Sequence, residues 1–213
     1  MNELDPKTDK GTMKMIFAEA DVGRAPMHLI DTDYNGADIY IGNRQAASDP
    51  ELLAKHGVTN VLNCAINLDI NMVEKPAADC QNQTFGWSGV KYFKLGMVDG
   101  PGNPDDLLLA GYFQLRGLIA QKLPQKVSYP WDDGGNVLVN CRGGRSRSVT
   151  LVALYMHLER PEKYPTLSDA IAHVREYRQL DPKEWPSAPK DVLIEAAMRV
   201  AKQVKILRDA KAR

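Results

Sequence analysis

Residues 136–158 place a strand, a short loop and an apolar helix in direct succession, and this limits the folds open to the chain. The segment NVLVN (136–140) has the short β-branched pattern typical of a buried strand. The loop CRGGRSR follows, and the helix predicted over residues 148–158 (SVTLVALYMHL) is apolar on nearly all sides. A helix without a polar face must be covered all round. We therefore expect this helix inside the protein, packed on other elements.

Strand and helix patterns alternate along the rest of the chain. Short apolar runs that end in turn formers predict strands, and apolar residues at helical spacing predict helices. Strands are predicted at 38–42, 58–63, 91–95 and 136–140. Helices are predicted from the Ser48-Asp49-Pro50-Glu51 capping pattern to about Gly57, at 105–121 and 148–158, from Thr166 or Ser168 to about Arg178, and at about 190–210. This alternation is typical of an α/β fold with a central, mostly parallel sheet flanked by helices.

The length of the chain favours one domain. It has 213 residues, 44% of them apolar, which suffices for a sizeable core. Residues 1–27 lack periodicity and are interpreted as an N-terminal extension. Residues 28–213 are predicted to form a single catalytic domain, with its core at 38–180 and a C-terminal helix at 190–210. Residues 67–90 are polar, and we expect them to add little to the core.

Charge and cysteine content exclude several classes of protein. Lys plus Arg equals Asp plus Glu at 27 each, so no overall field favours nucleic acid or an acidic membrane. The first twenty residues lack the apolar stretch of a secretory signal, and no segment is long and apolar enough to span a bilayer. Cys64, Cys80 and Cys141 are too scattered for a disulfide scaffold or a zinc site. A reducing, cytoplasmic setting is predicted.

The loop after the strand at 136–140 has the composition of an anion-binding site. Gly143 and Gly144 allow successive backbone N–H groups to turn inward, and the following helix N-terminus adds partial positive charge. Cys141 begins this loop, where such a field lowers the pKa of a thiol and favours the thiolate. Arg147 follows six residues later and can fork onto two oxygens of a bound oxyanion. A phosphate held this way presents its phosphorus to sulfur.

The Cys-x5-Arg-Ser spacing resembles the signature loop of the dual-specificity phosphatases, which belong to the cysteine-dependent phosphatases. The resemblance extends to DIYIGNRQAASDPELLAKHGVTNVLNCA, KYFKLGMVDGPGN and LSDAIAHVREYR, in the same order as in that family. It covers roughly residues 38–180. The resemblance implies a protein tyrosine phosphatase-like fold and a phosphomonoester hydrolase that works through a phosphocysteine intermediate.

The same resemblance assigns roles within the loop. Cys141 would be the nucleophile, and Ser148 the hydroxyl that hydrogen-bonds the thiolate and helps it leave. The catalytic Arg147 would hold phosphate together with Arg142, Gly143, Gly144, Arg145 and Ser146. These groups carry the charge themselves, so the predicted reaction needs no metal and no cofactor.

Two sites in the sequence offer a general acid for the leaving group. Asp99 lies in MVDGPGN, directly after the strand at 91–95. Asp132 and Asp133 lie on the far side of the strand that delivers Cys141, on the order of 20–25 Å from the thiol. Asp99 can therefore reach the loop, and the family resemblance also points to it. Asp105 and Asp106 lie in the first turn of a predicted helix, where the helix dipole favours acidic residues without a catalytic role.

One position departs from the family pattern. The family usually has histidine directly before the cysteine, whereas this chain has Asn140. Asparagine donates hydrogen bonds but carries no positive charge. The thiolate is therefore expected to be less stabilised than in the family. This substitution is also the one support for an alternative function, a catalytically weak phosphatase-like module that binds phosphate.

The two other loop arginines bear on the substrate. Arg142 and Arg145 resemble the basic positions of family members that act on phosphoinositides and phosphatidylglycerophosphate. A polyanionic phospholipid or inositol phosphate would suit them, and a phosphoprotein phosphorylated on Tyr, Ser or Thr stays open. A membrane-docking surface has no support, because Arg24, Lys91 and Lys94 are dispersed along the chain.

Overall fold

A sheet of buried strands runs through the centre of the protein. The computed structural model describes residues 24–70, 72–73, 75–76, 86–122, 124, 126 and 135–211. Within these ranges the strands are β1 (Met27–Thr32), β2 (Asp38–Gly42), β3 (Val58–Ala65), β4 (Lys75–Pro76), β5 (Gly86–Trp87), β6 (Lys91–Met97) and β7 (Asn136–Asn140). The helices are α1 (Arg44–Ala47), α2 (Pro50–Lys55), α3 (Asp105–Ala120), α4 (Arg147–Glu159), α5 (Leu167–Tyr177) and α6 (Asp191–Lys211).

The main sheet has the strand order β1-β2-β7-β3-β6. Strands β2, β7, β3 and β6 are parallel, and β1 is added antiparallel at one edge. Strand β7 lies in the middle, and four of its five residues are buried. This matches the near-continuous apolar sequence of a parallel strand covered on both faces. The predicted mostly parallel sheet is confirmed.

Helices cover both faces of the sheet. Helices α1 and α2 pack on one face with Leu138 and Val61, and helices α3 to α6 form the larger core on the other face. Helix α4 lies within that core, where its side chains from Arg147 to Met156 are all buried. The prediction of an internal helix is confirmed.

The helix that was predicted to begin at the Ser48 capping pattern is two helices. Ser48 ends α1, and its hydroxyl donates to the Arg44 carbonyl at 2.9 Å. Asp49 is the N-cap of α2, because its carboxylate accepts from the Leu52 N–H at 2.9 Å. The prediction of Ser48 as the cap was wrong. Asp49 is also a strong capping residue, and proline at the first helical position selects the residue before it.

Strand β1 was missed by the sequence analysis. It begins at Met27, the last residue assigned to the extension, and pairs with β2 along Met27 to Thr32. Its burial follows a period of three rather than two, and the pairing register shifts between Leu29 and Asp31. A strand with this irregularity lacks the alternating pattern on which sequence prediction depends.

Arg178 joins β1 to the loop after β7. Its side chain is fully buried at the end of α5, and its guanidinium donates to the carbonyls of Ala25 and Gly144 and to Nδ1 of His28. Burial, together with the charges of Arg178 and Arg24, lowers the pKa of His28 from 6.5 to about 4. The imidazole is therefore held neutral as an acceptor.

In the described part of the chain, no helix has the length and apolar character needed to cross a bilayer.

His28 should make stability depend on pH. In the unfolded chain His28 binds a proton below pH 6.5, whereas in the folded protein it stays neutral down to about pH 4. Stability should therefore fall as the pH drops through this interval. The His28→Asn variant keeps an acceptor for Arg178 and removes the titration. The free energy of unfolding, measured by urea at several pH values in this interval, should therefore depend less steeply on pH in this variant. His56→Asn, beside Tyr40 at the end of α2, is the control. If the free energy of unfolding depends on pH equally in His28→Asn and in the wild type, His28 is not the cause of the pH dependence.

Candidate active site

Three parallel strands end at one edge of the sheet and deliver the candidate groups there. Cys141 follows β7, Asn67 lies just beyond β3, and Asp99 lies just beyond β6. In parallel sheets, ligands bind at the carboxyl ends of the strands. The topology therefore brings together residues that are far apart in sequence.

The loop at residues 142–146 is fixed by close backbone packing. Gly144 has a φ of +64°, and a Cβ at this position would lie 2.6 Å from the Gly42 carbonyl oxygen. Both the conformation and the space require glycine. The Arg142 carbonyl accepts from the Arg44 N–H at 3.1 Å, and the Ser146 carbonyl accepts from the Thr150 hydroxyl at 3.0 Å. The loop is thus held from β2, α1 and α4.

The Cys141 thiol lies at the base of this loop, and the residue is 2% exposed. Burial by itself raises the pKa of this thiol. The Arg147 charge, the hydroxyl and N–H of Ser148 and the N–H of Arg145 outweigh burial, so the pKa of Cys141 lies below its ordinary value. The Ser148 hydroxyl is 3.4 Å from the sulfur. These are the conditions under which a cysteine becomes nucleophilic.

Arg147 connects the loop to the ends of the other two strands. Its guanidinium donates to the Met97 carbonyl at 3.0 Å and contacts the Asn67 amide oxygen at 3.5 Å. One nitrogen also lies 3.9 Å from a carboxylate oxygen of Asp99. Arg147 is buried, whereas the Asp99 side chain is 42% exposed. The structure therefore brings together Cys141, Arg147, Ser148 and Asp99, as the sequence predicts.

Asp99 lies in a loop that is closed on itself. The Asn103 side chain accepts from the Val98 N–H at 2.8 Å and donates to the carbonyls of Val98 and Gly100 at 2.9 and 3.0 Å. We call residues 98–105 the acid loop. The side chain of Asn103 thus fixes the turn that carries Asp99.

The two remaining loop arginines have different environments. Arg142 lines a cavity of about 360 Å³, which is also lined by Arg147, Asp99, Asn67 and Lys190. The Arg145 guanidinium instead stacks on Trp185, with its carbon 3.6 Å from the ring centroid. Arg142 therefore lines this cavity, whereas Arg145, which the sequence analysis also assigned to phosphate binding and to a polyanionic substrate, does not line it.

Three residues at or behind the site were missed by the sequence analysis, namely Asn67, Arg178 and Lys190. Asn67 touches Arg147, Arg178 donates to the loop at Gly144, and Lys190 lines the cavity. They come from a turn, the end of α5 and the residue before α6. No local motif marks them, because their roles arise from tertiary packing.

The remaining candidates are placed as follows. Cys64 is buried beside Cys141, one residue beyond the pairing of Asn63 with Asn140, and burial followed by the Cys141 charge raises its pKa. Asp105 opens α3 and forms an ion pair with Arg199 at 2.7 Å. Asp132, Asp133 and Cys80 lie outside the described residues.

Asn140 is fully buried, and neither polar atom of its side chain has a hydrogen-bond partner in the described part of the chain. It therefore gives the adjacent thiolate neither a charge nor an ordered contact of its own. The pKa of Cys141 depends on Arg147, Ser148 and the loop amides instead.

The chain is similar to a known family and to known proteins. A family model described as the catalytic domain of dual specificity phosphatase matches residues 39–184. Mouse dual specificity protein phosphatase 26 is 28% identical over 144 residues, which cover 68% of this chain and 58% of the mouse protein. The chain thus matches 58% of the length of this curated relative.

Solved structures of the same fold are also similar. Human DUSP28 has a TM-score of 0.55 at 20% identity, covering 85% of this chain and 96% of its own. PTPMT1 in complex with PI(5)P has a TM-score of 0.54 at 19% identity, covering 89% and 100%. At these identities the likeness concerns the fold, and the predicted protein tyrosine phosphatase-like fold is confirmed.

Replacing Asn140 tests how the thiolate is stabilised. We expect Asn140→His to lower the pKa of Cys141, because a protonated imidazole adds positive charge next to the sulfur. The pH dependence of inactivation by iodoacetate measures this pKa. Asn140→Gln, a neutral control, should leave it unchanged. An unchanged or higher pKa in Asn140→His would show that this position does not act on the thiolate through charge.

Proposed function

The chain belongs to the dual specificity phosphatase family, and we propose that it hydrolyses phosphate monoesters through a phosphocysteine intermediate. The observation that carries the proposal is the buried Cys141, whose pKa is lowered mainly by Arg147 against the effect of burial. A thiolate below an anion-binding loop is suited to attack phosphorus. Arg147 and the loop amides of residues 142–147 would hold the three non-bridging oxygens.

In the first step, the Cys141 thiolate attacks phosphorus in line with the ester bond. A sulfur–phosphorus bond forms, and the bond from phosphorus to the leaving oxygen breaks. Asp99 gives its proton to that oxygen, so the product leaves as a neutral alcohol or phenol. Such proton transfer contributes about 10²–10⁴-fold to the rate.

In the second step, water attacks the phosphocysteine. Asp99, now ionised, takes a proton from the water, the sulfur–phosphorus bond breaks and inorganic phosphate is released. The Ser148 hydroxyl, 3.4 Å from sulfur, would stabilise the departing thiolate by a hydrogen bond. Arg147 and the loop amides hold the charge in both steps, so this proposal uses no metal and no cofactor.

The alternative is a phosphatase-like module that binds phosphate with little turnover. Its support is the buried side chain of Asn140, which has no hydrogen-bond partner among the described residues. Hydrolysis is favoured because the Ser148 hydroxyl lies 3.4 Å from the Cys141 sulfur, and Arg147 both acts on that thiol and lies 3.9 Å from Asp99. We also propose that residues 28–213 act as one catalytic domain after an N-terminal extension, in the reducing cytoplasm that a free thiolate requires.

The substrate is proposed to be either a phosphoprotein or a polyanionic phospholipid or inositol phosphate. Arg142 and Lys190 line the same cavity as Arg147 and favour a substrate with a second anionic group. PTPMT1, a structural neighbour, has been solved with PI(5)P. The stacking of Arg145 on Trp185 leaves Arg142 as the loop side chain suited to such a group.

Two variants test the reaction. Cys141→Ser should lower kcat/KM for 4-nitrophenyl phosphate by about 10⁴-fold or more, because it removes the nucleophile. Asp99→Asn should lower it by about 10²–10⁴-fold, because no proton reaches the leaving oxygen. Trapping of labelled phosphate on Cys141 after acid quench would support the intermediate. Tight phosphate binding by the wild type without turnover would instead support the binding module.

A third variant tests the substrate. Arg142→Met should lower kcat/KM for an inositol bisphosphate by about tenfold relative to a phosphotyrosine peptide, because a charge-assisted hydrogen bond is lost. Arg145→Met, which removes the stack on Trp185 instead, is the matched control and should preserve the ratio of the two substrates. If Arg142→Met also preserves the ratio, the second-anion preference is wrong and the phosphoprotein is favoured.

A further inference from the structure

Lys190 connects the loop at residues 142–146 to the acid loop. It precedes α6, and its backbone N–H donates to the Ser146 hydroxyl at 3.1 Å. Its side-chain Nζ donates to the Asp99 carbonyl oxygen at 2.6 Å. One residue therefore contacts the backbone of the proposed acid and a side chain of the proposed phosphate cradle.

The backbone around Lys190 is itself anchored. The Arg175 guanidinium donates to the carbonyls of Ala188 at 2.7 Å and Trp185 at 3.0 Å. The Lys190 carbonyl accepts from the Leu193 N–H at 2.9 Å, at the start of α6. The backbone of Lys190 is therefore held in place, and the hydrogen bond from its ammonium group to Asp99 restrains the acid loop.

Helix α6 also contacts the other end of the acid loop. Arg199 donates two hydrogen bonds to the Asp105 carboxylate, at 2.7 and 2.8 Å. This fork fixes the start of α3 against α6. The acid loop is thus held by α6 at Asp105, by Lys190 at Asp99 and by its own Asn103 between them.

We propose that Lys190 is a positioning residue that holds Asp99 in place to protonate the leaving group. The Asp99 carboxylate is half exposed and 3.9 Å from Arg147, so its side-chain contacts alone restrain it weakly. Proton transfer requires the carboxyl within hydrogen-bond reach of the leaving oxygen, and small displacements are costly. Lys190 supplies the missing restraint through the backbone. This inference rests on the proposed role of Asp99.

The test compares two leaving groups. Phenyl phosphate needs a proton for its basic phenolate, whereas 2,4-dinitrophenyl phosphate releases a weakly basic anion and does not. Lys190→Met should lower kcat/KM for phenyl phosphate by about tenfold and for the dinitrophenyl ester by less than about twofold. Lys190→Arg keeps a cationic donor and should restore much of the loss. Lys202→Met replaces an exposed lysine of α6 that lines a surface pocket with His157, and this matched control should change the rate for neither ester.

Asp99→Asn provides the benchmark and separates the two proposals. If Asp99→Asn shows no selectivity between the esters, the proposed acid itself is wrong. If Asp99→Asn is selective and Lys190→Met is not, the positioning role of Lys190 is overturned while the proposed reaction stands. An equal rise of KM for both esters in Lys190→Met would also overturn it, because Lys190 would then bind the phosphate group that the esters share.

Discussion

The site depends on the buried Arg147 guanidinium, whose charge lowers the pKa of the buried Cys141 thiol and favours its thiolate form. Each charge would be costly to bury alone, because transfer from water disfavours an isolated ion. Together they lower the cost for each other, and the Met97 carbonyl and the loop N–H groups share the remaining charge. The ends of β6 and β7 must therefore reach the same edge of the sheet, and the parallel strands provide this with β3 between them.

The surroundings of this pair are fixed by backbone contacts more than by side-chain ion pairs. Gly144 approaches Gly42 closely, Arg178 supports the loop from behind, and Asn103 closes the turn that carries Asp99. Such contacts allow little freedom to the oxygen and nitrogen atoms that face the cavity. A preorganised set of donors is the arrangement that stabilises charge in a reaction most effectively.

The sequence predicted the parts of this protein that are encoded locally. The strand, loop and helix around Cys141 were predicted from neighbouring residues. The proximity of Asp99 to this loop was predicted from its position directly after a strand. The sequence could not predict that Arg145 turns onto Trp185, because that contact joins residues forty positions apart through packing. Lys190 and Arg178 carry no motif for the same reason. Strand β1 was missed because its irregular pairing removes the alternating pattern.

The match to the family ends at residue 184, whereas Lys190 and Arg199 lie beyond it. Two relatives could share the whole matched region, with the same signature loop, and still differ in the contacts that restrain the proposed acid. Under the proposed role of Lys190, evolution can adjust the rate of hydrolysis by altering residues that the family match does not include. Sequence identity across the signature would give no sign of that change.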